Sequence, residues 1–166
     1  MAKVITESGM DFIADNAFHI EKSLLNKKVG EGVRTIEFIR TMGDVLVFIE
    51  AKTSFPNPNN PSKENLEKFQ KAAEEILVKF NHSLNLFASV KVGVQENSFF
   101  DDFVTPEKVS LAFVLVIKDH EIKWCDEVQK KLKNDFPKYL MKIWRPYFLV
   151  LNHEQAKKKG YVVNKT

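Results

Sequence analysis

A chain of 166 residues has the length of one domain, and 44% hydrophobic with 28% charged residues is ordinary for a globular protein. With 25 basic against 22 acidic residues the net charge is +3, too small a surplus to mark a dedicated nucleic-acid binder. One cysteine, Cys125, excludes an intramolecular disulfide, and no apolar run approaches the ~18 residues of a membrane span. The first residues also lack the apolar stretch of a signal peptide, so the expectation is a soluble, cytoplasmic, single domain over 1–166.

In chain order, residues 1–33 carry the weakest pattern. Ala17, Ile20, Leu24 and Leu25 fall at helical spacing with Asn16 as a cap, although Phe18 and Ile20 would also suit a strand; a helix is the expectation. Arg34–Arg40 and Val45–Thr53 are rich in β-branched and aromatic residues, and Gly43-Asp44 between them suits a two-residue hairpin turn. The Pro- and Asn-rich stretch 54–61 is a loop. Ser62 caps a long helix whose apolar stripe runs from Leu66 through Phe69, Ala73, Ile76, Phe80 and Leu84 to Phe87, ending near Val90. Gln95–Pro106 is a connection that includes Phe99-Phe100 and Asp101-Asp102, open to reading as a contact surface or a tucked loop.

Val109–Lys118 is almost continuously apolar, the pattern of a strand covered on both faces. Asp119 is expected to cap a helix through Ile122, Cys125, Val128 and Leu132 that falters at Pro137. Tyr147–Leu151 is a short strand, and Asn152 caps a final helix closed by Gly160. A hairpin followed by α/β units implies an α/β fold, with a mixed central β-sheet flanked by helices. His19, His82, His120 and His153 show no metal-ligand spacing and are expected to be structural or surface residues; Cys125 is expected to be a packed thiol.

If Gly43 and Asp44 form the turn, Met42 faces Val45 and Glu37 falls directly opposite Glu50. Side chains alternate along a strand, so Glu37, Glu50 and Lys52 share one face at the open end of the hairpin. Two carboxylates roughly 5 Å apart at Cβ repel unless a cation sits between them. Oxygen ligands alone point to Mg²⁺ or Mn²⁺, an ion that can activate water and neutralise a phosphodiester, with a lysine beside it to position the nucleophile. Asp44 lies in the turn, too far along the strand to join Glu50. The other reading of the trio is a cross-strand salt-bridge cluster, stabilising by about 0.2–1 kcal/mol.

Phe48-Ile-Glu-Ala-Lys-Thr-Ser54 resembles the (D/E)-X-K strand of the PD-(D/E)XK nuclease superfamily, and the element order over residues 15–120 is similar to that family's core. The resemblance implies a restriction-endonuclease-like fold and Mg²⁺- or Mn²⁺-dependent cleavage of DNA or RNA. Glu50 would be a metal ligand and Lys52 the catalytic lysine, with Ala51 offering its backbone carbonyl to the metal. Glu37 would stand where the family usually has aspartate. Glu21 would match an acidic residue that some members carry on the first helix, and Gln70 a polar helper on the helix after E-X-K. A member that has lost catalysis and kept a binding or scaffolding role is the alternative on the same fold.

Overall fold

The chain opens with a tight reversal at Ser8 (φ 49°) and Gly9 (φ 69°), two successive left-handed residues, the requirement of a two-residue hairpin turn. They join β1 (Val4–Glu7) to β2 (Met10–Ile13) in an antiparallel pair with Glu7 opposite Met10. The computed structural model describes residues 2–96 and 103–164. Next come β3 (Ala17–Phe18) and a short helix α1 (Leu24–Val29) capped by the Ser23 hydroxyl, which accepts from the Asn26 amide.

The expected helix over Ala17–Leu25 is therefore corrected: its first part is strand and turn, and the helix starts at Leu24. Asn16 does not cap it. Its backbone is left-handed (φ 47°), and its side-chain amide exchanges hydrogen bonds with the Val104 backbone at 2.8 and 2.9 Å.

β4 (Phe38–Met42) and β5 (Val45–Lys52) form a hairpin in the expected register, with Met42 facing Val45 and Gly43 supplying a positive φ of 62°, but the first strand begins at Phe38 and not at Arg34, which leaves Glu37 just outside it. Then follow α2 (Lys63–Lys91), capped by Ser62, and β6 (Ser110–Ile117). α3 (Ile122–Asp135) begins after Glu121, so Asp119 is not its cap. Pro137 ends that helix but also starts another, α4 (Lys138–Trp144), since proline's fixed φ suits a helix N-terminus. β7 (Tyr147–Asn152) and α5 (His153–Lys158) close the chain, and Asn152 and Gln155 cap α5 reciprocally. The loop residues Phe99-Phe100 and Asp101-Asp102 lie outside the described residues.

The result is a mixed α/β structure with a five-stranded sheet in the order β3-β4-β5-β6-β7 and a separate two-stranded sheet β1-β2. β3, β4 and β5 are an antiparallel meander; β6 runs parallel to β5, and β7 parallel to β6. β5 and β6 occupy the middle and read apolar on both faces. On one face Leu46, Phe48, Phe113 and Leu115 meet Ile76 and Phe80 of α2 and Cys125, Val128 and Leu132 of α3. On the other, Val47, Ile49, Val114 and Val116 meet Phe12 and Met10 of the first hairpin and Ala156 of α5. The N-terminal hairpin thus does half the covering that helices were expected to do.

Phe113 is the hub of the first face. Its ring stacks on Phe80 at 4.6 Å and meets Phe48, Phe136 and Phe148 edge-on at 5.4–5.7 Å, joining β5, β7, α2 and the end of α3. Phe113→Ala is expected to cost about 3–5 kcal/mol, because it removes a buried ring together with its contacts to Phe48, Phe80, Phe136 and Phe148. Urea denaturation measures it; an unchanged midpoint would contradict this packing.

Candidate functional site

The register that joins β4 to β5 ends at Phe38 opposite Ile49, and one step further the chain presents Glu37 toward Glu50 at the open end of the hairpin. Glu37 is the residue just before β4. The preceding segment is pinned to α2 instead: His82 Nδ1 accepts from the Arg34 amide at 3.0 Å and Ser83 Oγ from the Ile36 amide at 2.9 Å. One helical turn before Ser83, on the same side of α2, stands Lys79.

Glu50 is fully buried, 0% exposed. Its Oε1 accepts from Lys79 Nζ at 2.7 Å and lies 3.2 Å from Lys52 Nζ, while its Oε2 has no hydrogen-bond partner. Burial raises its pKa above the ordinary carboxylate value, an effect that the charges of Lys79 and Lys52 only partly offset. Burial works against the Lys79 ammonium too, but the charge and hydrogen bond of Glu50 outweigh it and hold the Lys79 pKa above its ordinary value. Sequence reading missed Lys79, which looks like one more polar position beside an apolar stripe.

Glu37 is 7% exposed, and its Oε2 also lacks a hydrogen-bond partner. Burial, then contact with the Glu21 carboxyl and the charges of Glu50, Glu21 and Glu7, push its pKa up to about 9. Glu21 lies beside it because the Glu21 amide donates to the Glu37 carbonyl at 3.3 Å, and Asn26 Nδ2 holds the Glu21 carbonyl at 2.8 Å. Glu21 thus precedes α1 rather than lying on a helix.

The β1–β2 turn brings two more groups to this end of the sheet. Ser8 Oγ donates to the Ala51 carbonyl at 3.1 Å, which leaves that oxygen a second lone pair. Glu7 approaches His19 Nε2 at 3.1 Å and forms an ion pair with Lys22. Burial, followed by the Lys22 charge, lowers the pKa of His19 against the pull of Glu7 and Glu21. One ligand atom from each of Glu7, His19, Glu21 and Glu37 lies within 4.8 Å of the others.

The structure thus gathers Glu21, Glu37, Glu50, Ala51 and Lys52 at the same end of β4 and β5 and adds Lys79, Glu7 and His19. Gln70 is elsewhere. It donates to Glu74 at 2.6 Å and lies about 13 Å before Lys79 along α2, at 1.5 Å per residue, beside a groove lined by Asp135 and Phe136. His120 is buried, and Cys125 is fully enclosed, with burial pushing its thiol up to about 11.

No protein-family model matches this chain, and neither a curated protein nor a solved structure matches it. Among the described residues no helix is long and apolar enough to cross a membrane.

The Glu37 shift fixes the sign of a pH effect. With a folded pKa of about 9 against an ordinary 4.5, the folded protein keeps a proton that the unfolded chain has lost. Folding therefore takes up a proton, and stability falls as pH rises from about 5 toward 9. Glu37→Gln, which mimics the protonated group, is expected to match the native protein at pH 5 and to exceed it by more than about 1 kcal/mol at pH 8. Chemical denaturation at the two pH values checks it, and a variant destabilised equally at both would contradict it.

Proposed function

We propose that this protein is a metal-dependent nuclease of PD-(D/E)XK type that hydrolyses phosphodiester bonds of DNA or RNA. The observation that carries the reading is the state of Glu50: an acidic residue of an E-X-K strand, fully buried, with one oxygen between two lysines and the other unsatisfied, beside a second buried glutamate. A buried carboxylate oxygen without a partner is costly, and a divalent ion ligated by oxygen would satisfy it. The sheet supports the reading as well. An antiparallel meander, a long helix and a parallel strand follow one another as in the restriction-endonuclease-like core, although α1 falls inside the meander instead of ahead of it.

Glu37 and Glu50 would hold Mg²⁺ or Mn²⁺, helped by the Ala51 carbonyl and by Glu21. Bound there, the ion would supply an activated water and charge neutralisation at the phosphodiester. Lys52 is the lysine with access to substrate: its side chain is 38% exposed, against 18% for Lys79. Lys52 therefore orients the attacking water and the phosphate, while Lys79 positions the Glu50 carboxylate from behind. The site lies where the parallel strands β5 and β6 end, the edge at which open α/β sheets bind ligands.

A second reading has its own support. Lys79 and Lys52 already supply opposite charge to Glu50, so the cluster is also intelligible as a buried ion-pair network in a non-catalytic binding or scaffolding protein on the same fold. Cleavage of fluorescent DNA and RNA oligonucleotides with Mg²⁺ or Mn²⁺ decides between them. The nuclease reading expects metal-dependent cleavage that falls at least about 100-fold in Lys52→Ala and disappears in Glu50→Ala. A folded native protein that cuts neither polymer, and whose melting temperature ignores both ions, would leave the non-catalytic reading.

A further inference from the structure

We infer that Glu7, His19, Glu21 and Glu37 form a binding site for a first-row transition-metal dication that does not use Glu50. It shares Glu37 and Glu21 with the proposed nuclease site but requires no nuclease chemistry. The four ligand atoms, three carboxylate oxygens and one imidazole nitrogen, lie within 4.8 Å of one another, close enough for one ion to reach all of them after small rotamer adjustments. They come from separate segments: Glu7 from the N-terminal hairpin, His19 and Glu21 from the turn after β3, and Glu37 from the approach to β4.

Acidic side chains gather on many surfaces without binding anything, but this cluster has a floor. Glu37 is 7% exposed, belongs to the cluster, and directs there a carboxylate whose Oε2 has no hydrogen-bond partner. The Nε2 of His19 is buried against Glu7 Oε1 at 3.1 Å, a pairing that an ion between the two groups would replace. A buried carboxylate oxygen left without a donor, as Glu37 Oε2 is, costs stability unless something fills the point. Glu7, His19 and Glu21 are partly exposed, which gives an ion a path from solvent.

The imidazole sets the class of ion. Carboxylates alone would suit Mg²⁺ or Ca²⁺, whereas nitrogen among three carboxylates favours Mn²⁺, Fe²⁺, Co²⁺, Ni²⁺ or Zn²⁺. Lys22 is the built-in competitor. Its ammonium pairs with Glu7, yet its side chain is 62% exposed, so it can swing into water as the ion arrives.

The test is Mn²⁺ binding to the full chain, read by loss of the free-ion electron paramagnetic resonance signal, with Mg²⁺ as competitor. The native protein is expected to bind Mn²⁺ in preference to Mg²⁺. His19→Gln should weaken Mn²⁺ by about tenfold or more and erase that preference, since even groups that only support a metal site cost 10–100-fold when lost. Lys22→Met, at an exposed position, should strengthen binding. Native protein that binds no Mn²⁺, or a folded His19→Gln that binds as well as native, overturns the proposal. So does a His19→Gln that weakens Mn²⁺ but keeps the native preference over Mg²⁺, which would leave the imidazole outside the ion's ligands. Absence of nuclease activity together with His19-dependent binding would reject the nuclease reading alone.

Discussion

Two glutamates buried side by side at the end of a central hairpin are the constraint around which this structure is arranged. Carboxylates in a low-dielectric interior demand compensation, and the molecule meets that demand only in part. Lys79 and Lys52 converge on one oxygen of Glu50, leaving the second oxygen bare. Glu37 has no ammonium of its own and keeps a proton in its place, with Glu21 and Glu7 nearby adding to the negative field. A fold stabilised only by packing would have little use for such a cluster.

The surrounding elements explain how the cluster is held. α2 acts twice: Ser83 and His82 fix the backbone leading to β4, and Lys79, one turn earlier, fixes Glu50 on β5. The same helix contributes Phe80, which stacks on Phe113 in the core. Packing and site are therefore coupled, and a shift of α2 would disturb the aromatic core and the ion pair together. On the opposite face, the turn of the N-terminal hairpin reaches the same end of the sheet, where Ser8 touches the Ala51 carbonyl and Gly9 passes Lys118 so closely that a Cβ would lie 2.9 Å from its Nζ. Glycine is favoured at position 9 by the left-handed turn (φ 69°), since the Lys118 side chain could move aside for a Cβ.

Much of this was legible because it depends on local rules. Gly43-Asp44 set the β4–β5 register, and the register set which glutamates share a face. Ser62, Asn152 and the apolar stripe of α2 marked their helices by capping and periodicity. What escaped depends on contacts far apart in sequence. Residues 4–13 pair through a Ser-Gly turn in two strands of only four residues each, too short for alternation to stand out. Asn16 has the chemistry of a helix cap but spends it on Val104, and Pro137 stops one helix by starting the next. His19 has no partner at ligand spacing because its partners come from residues 7, 21 and 37, and that assembly exists only once the hairpin has folded onto the sheet. Gln70 shares a helix with Lys79 but lies more than two turns away, a separation that the E-X-K resemblance did not register.

The ionisation of the buried pair reports most directly on this arrangement. Carboxyl-carbon NMR titration of metal-free protein, labelled at its glutamate side chains, reads each group directly. Glu37 is expected to titrate at about 9 and Glu50 above the ordinary value of 4.5. If Glu37 instead titrates near 4.5, with its neighbours ordinary as well, the carboxylates are neither crowded nor dry, and the case for a cation site at this end of the sheet fails.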